Sequence, residues 1–500
     1  MEAAAIVTWL KRSSWYVAAG ALLLFATHLL YSGLGDYSSS YDSGVYLESA
    51  RMIRNGFAPY RQVFSSQPPL WLPLLCVALR LFGESFRAGQ ILMAIAGLLS
   101  IIAVMNMTKQ LSGKGGALLA GALVAFSPLE LEWSRTINAD APSVALATVA
   151  LAFAVGYLRS GSFIALVSSA LAVGCSILVK LSGVYALPSL CAFVLVRAIR
   201  VDASNRRRLL ILAHDAFLLA GVVGSITLLC FAFFGVDHVW NQVVAFHWAA
   251  RKLNPPLSLL QRWRTLAPLI AGQRLLLTAA PLSGLCLLQG LDGAALLTWP
   301  SLTFLALLYH RPLFDHHMMA LIPGLAATSG VGAQSLGRLL SLFWRRRFES
   351  SHPPGAIGAA VVLGAGFYIL TIAAAWAPLD LAADQRLVRG PALPNPDLRI
   401  AELIDRNTRP QDMIITDAQG IAFLAGRDVP PNLVDTSFTR IISGYLEPRE
   451  VINQAQRYNV HLLLLWTRRL SLMPDVVRWA EKRFPKRIDL GDGRTLYLRR

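Results

Sequence analysis

Two carboxylates stand where chemistry at a membrane surface would need them. Asp42 lies in YDSGVY and Asp140 in WSRTINAD, each just beyond the end of an apolar run. A carboxylate at the centre of a membrane span costs about 2.5–3.5 kcal/mol, so acids kept beside spans are candidates for function. Asp42 could take a proton from an acceptor hydroxyl or hold a metal ion. Its ordinary alternative is a helix cap or an ion-pair partner at the interface. Asp140 follows Arg135 by five residues and precedes Pro142. That pattern also suits a helix start, with the Asp as N-cap. Arg135 could pair with Asp140 or bind a phosphate.

Cations and hydrogen-bonding groups surround these acids in the sequence. Lys180 sits in ILVKLSGVYALP at a tight turn between apolar runs. A lysine there either snorkels to the interface or supplies a point charge for a lipid phosphate. HRPLFDHHMMALIP brings together His310, Arg311, Asp315, His316 and His317. His316 and His317 are adjacent, not at the four-residue spacing that would put both on one helix face, so phosphate or sugar hydrogen bonding, or plain interfacial packing, suits the turn better than a metal. Arg251, Lys252, Arg262 and Arg264, with Trp240, Trp248 and Trp263, form either a clamp for an anionic head group or an interfacial aromatic belt with basic anchors. The donor-phosphate candidates are therefore Lys180, Arg135, Arg251, Arg262 and His316. Tyr41, Tyr46, Gln67 and His317 are the candidates for acceptor or sugar contact. No metal ligand set is assigned, although a divalent metal would be compatible with the acids.

The elements that must position these groups are membrane spans. The chain has 500 residues, 55% of them hydrophobic and only 15% charged. Apolar runs of roughly 16–26 residues recur through the first three quarters, each long enough to cross a bilayer as a helix. Spans are expected near 14–31, 90–107, 116–133, 143–158, 162–179, 183–199, 209–234, 272–290, 293–309, 317–335 and 355–377, about eleven in all. The first follows Lys11 and Arg12 without a clear cleavage site and reads as an uncleaved anchor.

The formal net charge is +17. Much of it lies in short basic turns, including Arg206-Arg207-Arg208 and Arg345-Arg346-Arg347, so positive-inside bias accounts for it better than nucleic-acid binding. With a cytoplasmic N-terminus these turns fall inside, with Asp292 as the sparse one. Asp42 and Asp140 then share the outer face. Residues 70–82 are apolar but short and carry Pro73 and Arg80, which suits a helix lying at the outer surface. Two long outer segments follow, at about 32–89 and 235–271. Asp215, beside His214, falls at the inner interface and is given no role. The five cysteines lie in or beside apolar runs at no metal spacing and read as small hydrophobes.

The composition changes after about residue 379. RGPALPNPD reads as a linker over 379–396, and residues 397–500 as an extracytoplasmic α/β domain. MIITD and VHLLLLW read as buried strands, with amphipathic helices near 397–406, 448–458 and 474–484. The fold class is thus an all-α polytopic membrane protein, residues 1–378, with a soluble C-terminal α/β domain. No phosphate-binding loop or dinucleotide fingerprint is present, so group transfer on the outer side would need a donor already carried across the membrane.

Three segments carry a resemblance. YDSGVYLESARMIRNGFAPYRQVFSSQPPLWLPLLCVALRLFGES, SPLELEWSRTINADAPSVAL and GCSILVKLSGVYALP resemble, in order, loops of the GT-C membrane glycosyltransferases. The pattern is similar to the protein O-mannosyltransferase, aminoarabinose transferase and RgtA/B/C/D-like set. The resemblance implies a polyprenyl-phosphate sugar donor, a glycan, lipid or protein hydroxyl as acceptor, and inversion at the anomeric carbon, in the cell membrane. It implies Asp42 as base, Asp140 as the second acid that organises the site, and Lys180 as a phosphate contact. Two departures stand out: Ser43 replaces the glutamate of the O-mannosyltransferases, and Gln67 replaces a lysine of the aminoarabinose transferases. These weaken a protein acceptor and the aminoarabinose substrate respectively. The competing class is a transporter or flippase of polyprenyl-linked or anionic solutes.

Overall fold

The computed structural model describes residues 2–32, 34–35, 40–253, 257–348, 364 and 395–499. Sixteen helices precede the C-terminal domain in this description: α1 Glu2–Ser32, α2 Tyr41–Arg54, α3 Trp71–Phe82, α4 Phe86–Leu111, α5 Lys114–Ala125, α6 Pro128–Trp133, α7 Asp140–Ser160, α8 Phe163–Val179, α9 Leu187–Arg200, α10 Asn205–Phe234, α11 Val236–Val239, α12 Phe246–Leu253, α13 Leu259–Ala271, α14 Arg274–Gly284, α15 Leu291–Tyr309 and α16 Ile322–Phe348. Six helices among the described residues are long and apolar enough to cross a bilayer, and four shorter apolar ones accompany them. The polytopic α-helical class expected from composition is borne out. The expected span at 355–377 and most of the linker lie outside the described residues.

Several expected spans are broken rather than continuous. The run at 116–133 is two helices, because Ser127 caps α6 by accepting from the Glu130 N–H and Pro128 occupies its first position. The run at 272–290 ends in a 3-10 turn, Leu285–Gln289. Helices α9 and α16 are each preceded by a 3-10 turn, Leu181–Ala186 and Asp315–Leu321. The two long connectors are also helical: α2 and α3 occupy the first, and α11 to α13 with a π-helical stretch, Trp240–Ala245, occupy the second. Helix α3 buries Trp71, Leu72 and Leu75 and exposes Val77 and Leu81.

The basic turns gather at one end of the bundle. Arg338 donates to the Ser112 carbonyl. Arg159 and Arg200 reach Asp292 at 3.5 and 2.7 Å. The acid that made this turn look sparse in charge is therefore neutralised by its basic neighbours. Asp215 joins α7 to α10, accepting from Tyr157 and lying 3.1 Å from His214.

Residues 395–499 form a four-stranded sheet between helices. Its order is β1 (Ile414–Thr416), β2 (Leu462–Leu465), β4 (Arg494–Leu498), β3 (Lys486–Gly491), with β1 and β2 parallel and the other pairs antiparallel. Strand alternation divides the core. Ile414, Leu462 and Leu464 face helix Pro396–Asn407, while Ile415, Leu463 and Leu465 face helices Pro448–Arg457 and Pro474–Arg483. The hairpin β3–β4 and helix Gln419–Leu424 were not anticipated from sequence.

Helix α2 binds the two parts together. Leu47 and Ala50 belong to the bundle core, whereas Met52 belongs to the core of the C-terminal domain. Arg51 donates to the Phe423 carbonyl at 2.8 Å and contacts Glu48 and Glu84. Glu48 accepts the Val429 N–H at 3.1 Å.

Candidate active site

Asp42 stands in the first turn of α2, near the positive end of the helix dipole. Asp140 opens α7 in the same way. It is not the cap, as the sequence pattern suggested: Asn138 Oδ1 accepts the Ala141 N–H at 2.8 Å, and the Asp140 carboxylate is left to other partners. Its partner is Lys180, whose Nζ donates at 2.5 Å. Lys180 ends α8 in an extended conformation that turns its side chain back toward α7. Paired serines hold the two helix ends together: Ser176 Oγ donates to the Ser143 carbonyl at 2.7 Å and Ser143 Oγ to the Ser176 carbonyl at 3.0 Å.

The 3-10 turn Asp315–Leu321 completes this cluster. His316 Nε2 lies 3.8 Å from Asp140 Oδ2, and its ring meets Trp133 edge-on at 5.1 Å. His316 and His317 both reach the site, because a 3-10 turn with its own hydrogen bonds presents adjacent side chains differently from an α-helix face. The His317 ring lies 4.3 Å from that of His310, and Tyr185 bridges to His310 Nδ1 at 3.2 Å.

These groups line one cavity of about 560 Å³. Asp42, Asp140, Lys180, Arg251, His316, Tyr41, Tyr46, Gln67 and His317 all border it. Two candidates do not. Arg135 donates instead to the Leu29 carbonyl near the end of α1. Arg262 stacks 4.5 Å over the Tyr309 ring and donates to the Leu257 carbonyl at 2.9 Å. The Arg311 guanidinium, which borders the space, is lowered in pKa first by desolvation and then by the neighbouring charges of Arg262 and Arg251.

Electrostatics separates the two acids. Asp42 is exposed, and it borders the cavity. Burial raises its pKa above the ordinary carboxylate range; His316 and Lys180 oppose this, and Asp435 and Asp140 add to it. A carboxylate raised toward neutrality is a stronger base than a solvated one. His310 is pushed down to about 4, first by burial and then by Lys180, so it is a neutral hydrogen-bonding group near pH 7. Burial also lowers His247, whose Nδ1 is 2.7 Å from the Val243 carbonyl.

Several lining residues escaped the sequence reading. His310 and Arg311 lay in a turn already singled out, yet were not chosen. Tyr185, in the segment of Lys180, and His247, beside Trp248, likewise lay in segments already singled out and were not chosen. Asp435, Ser437 and Thr439 come from the C-terminal domain. Nothing in the sequence linked them to α2, although Tyr41 bonds to Asp435 across 394 residues. Among the described residues, no three His, Cys, Asp or Glu side chains are grouped to share a metal ion.

Comparison with known proteins bears on this arrangement. The sequence model of the dolichyl-phosphate-mannose-protein mannosyltransferase family matches residues 66–229, a stretch that includes Asp140 and Lys180. No curated protein sequence matches the chain. ArnT from Cupriavidus metallidurans, solved with undecaprenyl phosphate, is 17% identical, with 98% of each chain covered and a TM-score of 0.63. This chain has the GT-C fold. The apo oligosaccharyltransferase of Archaeoglobus fulgidus gives 15% identity over 91% of this chain and 70% of that one, at a TM-score of 0.56. The oligosaccharyltransferase AglB from Archaeoglobus fulgidus, solved with an inhibitory peptide and a dolichol-phosphate, gives 13% identity over 95% of this chain and 73% of that one, at 0.54. The GT-C resemblance read from the sequence is borne out at the level of the fold. In this GT-C chain the likeness extends through the C-terminal domain, since the match to ArnT runs over nearly the whole length.

Proposed function

We propose that this GT-C protein transfers a sugar from a polyprenyl-phosphate donor to an acceptor hydroxyl at the outer face of the membrane, with inversion. The observation that carries the reading is one cavity lined by the acid Asp42, whose pKa is raised, together with the cations Lys180, Arg251 and Arg311. Asp42 takes the proton from the acceptor O–H. The acceptor oxygen forms its bond to sugar C1 as the C1–O bond to phosphate breaks, and that electron pair leaves on the phosphate oxygen. Lys180, Arg251 and Arg311 meet the charge that develops there, with Arg262 behind them. Preorganised charge of this kind is usually the largest catalytic contribution. Asp140 holds Lys180 in place.

The donor class draws on two neighbours, ArnT with undecaprenyl phosphate and AglB with dolichol-phosphate. A local feature supports it. An apolar groove of about 480 Å³, lined by Leu297, Pro300, Phe304, Met318 and Leu321 among others, shares α15 and the 3-10 turn with the polar cavity. A lipid tail could lie there while its phosphate reaches Lys180. In this reading the N-terminus is cytoplasmic and residues 397–500 are extracytoplasmic, because the basic turns gather at one end and the cavity lies among the other loops.

The test uses purified protein and labelled polyprenyl-phosphate sugars. Release of free polyprenyl phosphate coupled to a glycosylated product supports the reading. Carriage of intact donor across a vesicle wall without cleavage would overturn it in favour of a flippase.

A further inference from the structure

Asp435 is a buried acid for which the chemistry above has no use. It is only 7% exposed, yet it borders the cavity with Ser437 and Thr439. Its Oδ1 is fully engaged, accepting the Ser437 N–H at 2.7 Å and the Tyr41 hydroxyl at 3.2 Å. The Tyr41 oxygen itself accepts the Thr436 N–H at 2.9 Å, so the tyrosine proton is directed to Asp435. Among the described residues nothing donates to Oδ2. The loop that carries the acid is built firmly: Arg440, 2% exposed, donates to the carbonyls of Asn432 and Asp435 at 2.6 and 2.7 Å and lies 3.9 Å over the Phe64 ring. With Oδ1 engaged and the residue bordering the cavity, Oδ2 is the oxygen left to accept a hydrogen bond from a cavity occupant.

The position of Asp435 indicates which substrate meets it. Tyr41 is bonded to Asp435 and is the residue before Asp42. Asp435 also acts on Asp42 more strongly than Asp140 does. The cations come from elsewhere: Lys180 from the end of α8, Arg251 from α12, and Arg311 from the turn after α15. Asp435 is tied through Tyr41 to the start of α2, the segment that carries the base, so a hydroxyl next to the one that Asp42 deprotonates is the group it can reach.

We propose, on the basis of the glycosyltransferase reading, that Asp435 is a specificity-determining residue. Its Oδ2 accepts a hydrogen bond from a second acceptor hydroxyl adjacent to the one that Asp42 deprotonates. The acceptor is then a polyol of saccharide type, and the C-terminal domain selects it.

The experiment compares a methyl glycoside bearing a vicinal diol with cyclohexanol as acceptor probes, using the full-length protein and a labelled polyprenyl-phosphate sugar. Asp435→Asn is expected to raise KM for the glycoside roughly 10- to 100-fold, the worth of one hydrogen bond to a charged group. The KM for cyclohexanol and the donor KM stay as they are, and any change in kcat from the altered base is the same for both acceptors. The acid limb of the rate profile moves to lower pH, because a negative charge beside Asp42 is gone, leaving His316, Lys180 and Asp140 as the charged groups that face it. Asp435→Glu retains the charge but displaces the oxygen, and is expected to lose glycoside preference severalfold without moving the acid limb; it serves as well should the Asn variant fail to fold. An equal rise in KM for both acceptors, or a raised donor KM, would overturn the assignment. A wild-type protein that releases no polyprenyl phosphate from any donor overturns the proposed function, and this inference with it.

Discussion

Asp42 and Asp140 are both helix-opening acids in one cavity, but they are held differently. Asp140 is tied to Lys180 at 2.5 Å, whereas Asp42 opens into the space and is raised by burial. Asp42→Asn should lower sugar transfer by roughly 100- to 10,000-fold, the usual range for a lost general base. Thermal unfolding and product-lipid binding should not move; wild-type turnover would remove Asp42 from the mechanism. The base works only when deprotonated, so rate should fall as pH drops through its raised pKa, above the ordinary value of about 4. His316 lowers that pKa, so His316→Ala should shift the acid limb to higher pH. A limb that moves the other way would contradict the electrostatics described. Lys180→Met leaves a buried carboxylate unpaired and should cost about 3–5 kcal/mol of stability. Adding Asp140→Asn should recover most of that loss in a denaturation experiment but none of the activity.

At the scale of elements, α2 carries more than its length suggests. It presents Asp42 and Tyr41 to the cavity, Leu47 and Ala50 to the bundle and Met52 to the C-terminal domain. Gly44 makes this possible: a Cβ there would lie 2.3 Å from the backbone nitrogen of Gly420. Gly44→Ala must push α2 away from helix Gln419–Leu424. We expect a destabilisation of about 1–3 kcal/mol, typical of overpacking, and a larger loss of acceptor use than of donor binding. Unchanged melting and kinetics would mean that the two helices do not meet as described. The broken spans tell a related story. Ser127-Pro128 is a start signal inside an apolar run, and hydropathy alone passes over it. The 3-10 turns before α9 and α16 lie next to Lys180 and carry His316, where irregular backbone borders a cavity.

Over the whole molecule, the C-terminal domain is part of the site wall. It supplies Asp435, Ser437 and Thr439, and its core takes in Met52 and Val63 from the first connector. Removing residues 395–500 should therefore abolish transfer, not merely loosen a partner-binding module. Retained transfer after that deletion would refute the joint site. The charge pattern makes an independent forecast. A cysteine placed at Ser437 should react with an impermeant reagent from the outer side, and one at Ser204 only from the cytoplasmic side. Reversal of either result would invert the proposed orientation.

Hydrophobic run length and basic-turn placement depend on nearest neighbours in sequence. They were enough for a polytopic helical protein, a C-terminal domain with strands at Ile414–Thr416 and Leu462–Leu465, and the two acids beside their spans. Local order could also single out Lys180 and the histidine turn, because a cation or paired histidines at a span end conflict with ordinary burial. Which acid pairs with which cation was not local. Arg135 is five residues from Asp140, yet the Asp140 carboxylate is held by Lys180, 40 residues away, because the ends of α7 and α8 are packed together. Asp435 lay further beyond reach, since its place beside Asp42 depends on the packing of α2 against a domain at the far end of the chain. Such contacts are set by complementary surfaces after the elements have formed, and spacing along the chain holds no trace of them.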